Sequence, residues 1–121
     1  MPLQSQALRD DPKLQAASRD AAAHITLGAI GPHVAKIQHA LNVLDDANIE
    51  EDGKYGPKTA AAVLTYKRRR NIVNTAYQTT ADDIVGVMTI AALDREMLAL
   101  ENQPLVHINP KLLWRPIRPI A

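Results

Sequence analysis

Apolar residues recur at helical spacing in three separate stretches of this chain, and a glycine stands in front of each stretch. Val34, Ile37, Leu41 and Leu44 follow one another at steps of three, four and three, the period of a single helical face. They predict a helix over 32–44, begun by Pro32 at the favoured first helical position. Thr59, Ala62, Val63 and Tyr66 mark the inner face of a second helix over 57–71, again opened by Gly-Pro. Thr89, Ala92, Leu93, Met97 and Leu100 do the same for a third, from Gly86 to about Asn102. Ahead of these, Asp11-Pro12 reads as an N-cap followed by a first-turn proline, and predicts a short helix over 12–23 with Leu14, Ala17 and Ala21 on one side.

The intervening stretches lose the period. Residues 45–52, DDANIEED, are mostly acidic and read as a loop, and the polar stretch 74–83 reads as another. The tail 103–121, QPLVHINPKLLWRPIRPIA, carries four prolines and reads as extended. The expected architecture is all-α: a three-helix bundle with a short N-terminal helix and an extended Pro-rich C-terminal tail. The expected division is 1–26 as an N-terminal extension, 27–102 as the domain and 103–121 as the tail.

Two phrases nearly repeat. DGKYGPKTAAAV (52–63) and DDIVGVMTIAAL (82–93) share an acidic residue, then Tyr or Val, then Gly, with Thr three residues after that Gly. The phrase reads as a device for starting a helix. Gly31, Gly56 and Gly86 would supply a tight or left-handed turn. Thr59 and Thr89 would place a hydroxyl near first-turn N–H groups that lack partners. Irregular spacing between the glycines indicates related half-units in one compact domain, not a solenoid.

Composition narrows the function. Apolar residues make up 46% of the 121 residues but aromatics only 3%, so the core must be aliphatic. The net charge of +1 creates no demand for a polyanionic partner. With no cysteine there is no disulfide, thiol nucleophile or Cys-based zinc site. No apolar run reaches membrane-span length, and the N-terminus lacks the layout of a secretory signal. His24, His33, His39 and His107 show neither HxxxH nor HExxH spacing, and GxSxG and phosphate-binding loops are missing. No catalysis, cofactor or metal is expected. The acidic loop lacks the glycine and the regular oxygen spacing of an EF-hand.

The ordered set LGAIGPHVAKIQHALNVL, DGKYGPKTAAAVLTYK and DDIVGVMTIAAL resembles the peptidoglycan-binding domain family, small three-helix modules joined to many cell-wall hydrolases. The likeness rests on Leu27, Gly28, Gly31, Val34, Gln38, Leu41 and Asn42, then Asp52, Gly53, Tyr55, Gly56, Thr59, Ala62, Val63 and Tyr66, then Asp83, Ile84, Val85, Gly86, Thr89 and Leu93. The chain departs from the family pattern at Asp45-Asp46, where glycine is usual, and at Lys67, where glutamine is usual. Its loop before Asp83 is also longer, and the glycine that normally follows that aspartate is missing. The resemblance implies recognition without chemistry: a module that grips the glycan strand or stem peptide and holds an attached partner at the bacterial wall.

On that reading the ligand contacts are Tyr55, Asp52, Arg70, Tyr66 and Gln38. Tyr55 would stack on sugar, while Tyr66 lies on the inner helical face with its hydroxyl at the rim. Asp52 either meets ligand or braces the turn into the second helix. The run Lys67–Arg70 either pairs with ligand carboxylates or is a solvated helix end that suits the dipole. Trp114 either anchors a protein partner or covers an apolar edge of the domain. A helix-turn-helix nucleic-acid binder is disfavoured, since the arginines sit at the end of their helix and the net charge is near zero. The alternative function is an adaptor in a wall-crossing machine, such as a phage tail or a secretion or injection apparatus. It would dock through the N-terminal helix and the tail.

Overall fold

The computed structural model describes residues 3–73 and 82–102. The tail 103–121, with Trp114, and residues 74–81 of the 74–83 loop lie outside the described residues. All regular elements described are helical: α1 (Pro12–Arg19), a 3-10 turn (Ala21–Ala23), α2 (Pro32–Asp45), α3 (Pro57–Arg70) and α4 (Val87–Glu101). The first predicted helix is therefore cut short. Asp20 adopts extended backbone (φ −132°, ψ 118°) and ends α1, after which the alanines form only a 3-10 turn.

Each helix starts and stops for a local reason. Asp11 Oδ1 accepts the N–H groups of Lys13 (2.9 Å) and Leu14 (3.2 Å), which caps α1. Pro12, Pro32 and Pro57 each stand where a missing N–H costs nothing. Helices α2 and α3 stop on left-handed residues, Asp46 (φ 53°) and Asn71 (φ 55°). Asp and Asn tolerate that conformation better than other side chains, so Asp46 does what a glycine commonly does there.

Helix α4 packs against α1 and α2, and α2 packs against α3. Val34, Ile37 and Leu41 from α2, Val63 and Tyr66 from α3, and Ile90, Leu93 and Met97 from α4 meet in one buried cluster. Leu3, Leu8, Leu14 and Ala17 belong to the same cluster. Burial of each leucine contributes about 1.5–3 kcal/mol. The N-terminal stretch is therefore part of the domain's core. Asp94, itself buried, accepts the N–H groups of Gln4 and Ser5 (2.8–3.1 Å), and Glu101 accepts those of Gln6 and Ala7 (2.7 and 3.1 Å). The apolar side of α1 is occupied within the fold. Leu100, expected on the inner face, is instead 40% exposed, because α4 runs past the core at its last turn.

Candidate functional site

The three glycine-led loops meet at one end of the bundle. Ile25 pairs with Val85 and Ile30 with Lys54 in isolated antiparallel bridges. Gly28 N–H donates to Tyr55 O and Tyr55 N–H to Ala29 O, both at 2.9 Å, and Gly31 N–H donates to Gly53 O at 2.9 Å. Gly53 has φ +78°, and an added Cβ would stand 3.0 Å from Gly31 O, so position 53 requires glycine for both conformation and room. Gly56 and Gly86 differ from the expectation. Their φ values, −103° and −102°, suit any residue, and a Cβ at either would touch nothing.

Gln38 fastens this arrangement from inside. Its Nε2 donates to Lys54 O (3.0 Å), Thr59 Oγ1 (3.0 Å) and Asp52 Oδ1 (3.2 Å), and its Oε1 accepts Gly53 N–H (2.9 Å). With 1% exposure it is an internal brace, not a ligand contact. Thr59 consequently serves Gln38 and not the helix start. Asp52, exposed, accepts Lys54 N–H at 3.0 Å and holds the turn. Hydrogen bonds to its carboxylate from Lys54 N–H and Gln38 lower its pKa.

Tyr55 is corrected in the same way. Its ring is 2% exposed, leaving no face for a sugar, and its hydroxyl donates to Asp83 O, tying the second loop to the third. Burial pushes this phenol's pKa well above its ordinary value. Lys67, in the family's glutamine position, plays a related part. It is buried, and its ammonium binds Asp82 and Ile84 O (2.8 Å), fastening α3 to the lead-in of α4. A cation there suits the carboxylate of Asp82.

Tyr66 and Arg70 lie elsewhere on the bundle, in an ionic cluster. Tyr66 is fully buried and its hydroxyl donates to Glu96 at 3.0 Å. Arg70 makes two hydrogen bonds to Glu96 (2.6 and 2.7 Å), pairs with Asp45 at 3.0 Å and stacks 3.7 Å from the Tyr66 ring centre. Burial raises the Glu96 carboxyl, but hydrogen bonds from Arg70 and Tyr66 outweigh it and hold the group below its ordinary range. Tyr66 offers no free contact surface, and Arg70, with its side chain 22% exposed, is engaged by Glu96 and Asp45.

An accessible polar groove lies beside this cluster. Asn42 shapes its far wall: Nδ2 donates to Ile49 O (2.8 Å) and Oδ1 accepts Ile49 N–H (2.9 Å). Asp46 and Asn48, both at positive φ, bend the loop so that it faces the outer side of α3. Lys58, Ala61, Ala62, Thr65 and Arg69 line the opposite wall of a groove of about 470 Å³. Lys58 and Arg69 are eleven residues apart, about 16 Å along the helix axis, with small side chains between them. Asp45 closes one end. Its side chain is 7% exposed, Oδ1 meets Arg70 and Arg69, and Oδ2 is buried without a hydrogen-bond partner. The groove thus offers cations for carboxylates, and Asn48 and Thr65 for amides or hydroxyls.

Residues 30–93 match the family model PG_binding_1, described as "Putative peptidoglycan binding domain". The chain belongs to this family. The match spans more than half of the chain and holds all of the groove-lining residues. No curated protein and no solved structure matches the chain. Sequence reasoning missed Lys58, Thr65 and Arg69 as a set. Their signal was the polar stripe at steps of seven and four on the side of α3 away from Val63 and Tyr66.

Proposed function

We propose that the domain is a non-catalytic module that binds peptidoglycan and holds itself, or a chain joined to it, at the bacterial wall. The groove between the 45–49 loop and α3 is the contact surface in this reading. The observation that carries it is the groove itself, with Lys58 and Arg69 on a wall of small side chains inside the segment 30–93 that matches the family. Peptidoglycan carries carboxylates, amides and hydroxyls, and the groove presents a complement to each. Binding would be weak per site and strengthened where several copies meet one wall. Nuclear magnetic resonance with muramidase-released peptidoglycan fragments tests the site. Shifts confined to 45–49 and 58–69 support it, and shifts that spare both segments reject it.

A further inference from the structure

A second groove, of about 740 Å³, runs between α2 and the end of α4. Pro32, Ala35 and Val43 line it from α2, Met97 and Leu100 from α4, and Ala7 from the N-terminal stretch. Val43 and Leu100 are large aliphatic side chains left 45% and 40% exposed. The charged groups at the rim are already engaged. Lys36 pairs with Asp11 at 3.4 Å, His39 meets Glu51 at 3.1 Å, and Glu101 accepts the N–H groups of Gln6 and Ala7. What the groove leaves unmet is apolar surface.

The chain leaves α4 at this groove. Leu100 and Glu101 are among its lining residues, and Asn102 caps the helix. Pro104 cannot continue a helix, and Leu105, Val106 and Ile108 come directly after it. From Pro32 to Val43 the groove follows about 16 Å of α2. Six residues of extended chain reach about 20 Å, enough to cover it. Charge agrees with this occupant. Residues 103–121 carry Lys111, Arg115 and Arg118 and no acidic side chain, so a whole-chain charge of +1 leaves residues 1–102 with a net −2. Tail and body therefore attract.

We propose that this groove is the docking site of the chain's own segment 103–108, whose aliphatic side chains cover Val43 and Leu100. Tethering decides between this occupant and a second copy. A segment that starts at the groove's rim is held there at an effective concentration of about millimolar, with no association step to oppose it. Docked in this way, the segment straps α2 to α4. The two grooves share no lining residue, so the strap leaves the α3 groove open and does not depend on the reading of it.

The full chain has no cysteine, so a nitroxide spin label on Asn109→Cys is unique. Nuclear magnetic resonance of the labelled chain is expected to show loss of amide signal at Ala35, Lys36, His39, Val43 and Leu100, with Lys58, Thr65 and Arg69 unaffected. Val106→Ser together with Ile108→Ser should restore the lost signals. Val43→Ser, a change at an exposed position of α2, should restore them from the groove side. Spin-labelled chains mixed with separate isotope-labelled chains should cause no such loss. Signals that persist in the labelled chain, loss spread evenly over the domain, loss unchanged in either variant, or loss in the mixture would each overturn the proposal. The last result would give the groove to a second copy.

Discussion

Gln38→Met replaces the internal brace with a side chain of similar length that cannot hydrogen-bond. Four contacts go: Gly53 N–H, Thr59 Oγ1, Lys54 O and Asp52 Oδ1. Lys54 and Asp52 are exposed, so water replaces their partner at little cost. Gly53 and Thr59 are buried and are left unpaired. Each buried orphan costs about 1–3 kcal/mol, and the sulfur-containing chain returns part of that by apolar contact. The expected net loss is about 2–4 kcal/mol. At about 4 °C per kcal/mol for a domain of this size, the melting temperature should fall by roughly 8–16 °C. Thermal melts by circular dichroism read the total. Hydrogen exchange at the Gly53 amide reads the cause, since that amide should lose protection first. Thr59→Val alone should cost less, and the double variant should be clearly less than additive. A loss under about 1 kcal/mol, or an unchanged Gly53 exchange rate, would show that Gln38 does not hold the loop.

The glycines separate by geometry. Gly53→Ala meets Gly31 O and a positive φ, and should destabilise by about 1–3 kcal/mol, whereas Gly56→Ala should stay within about 0.5 kcal/mol in urea titrations. Glu96 titrates below its ordinary value of 4.5 in the folded chain. Its contribution to stability is therefore complete above that value and is lost as pH falls through the lower folded one. Glu96→Gln should flatten that acid limb in melts taken across the range, and an unchanged limb would assign it to other carboxylates. Tyr55→Ala should lower stability by about 3–5 kcal/mol, as other large aromatic truncations do, so any loss of wall binding in that variant reports folding.

Much of the fold was legible because its signals are local. Gly-Pro at 31–32 and 56–57 marked two helix starts, and the spacing of Val34, Ile37 and Leu41 marked a buried face. The ends were legible to within a residue for α2 and α3, where Asp46 and Asn71 take the left-handed turn. The early end of α1 was not, because nothing at Ser18-Arg19-Asp20 breaks a helix by itself. The site was less legible, since burial of a loop residue depends on what pairs with it. Tyr55 reads as an exposed loop aromatic until residues 28 and 29 close over its backbone. Gln38 reads as a polar contact until the 52–54 turn folds onto it. Arg70 reads as a solvated helix end until α4 brings Glu96 to it from 26 residues away in sequence. The groove itself needed the path of the 45–49 loop, which Asn42 sets.

Co-sedimentation with purified sacculi tests the central claim, that this domain grips peptidoglycan through the outer face of α3. The parent chain should pellet with sacculi, and the Lys58→Gln, Arg69→Gln double variant should remain in the supernatant while still folded by circular dichroism. A parent chain that stays in solution, or a double variant that pellets as well as the parent, would contradict it.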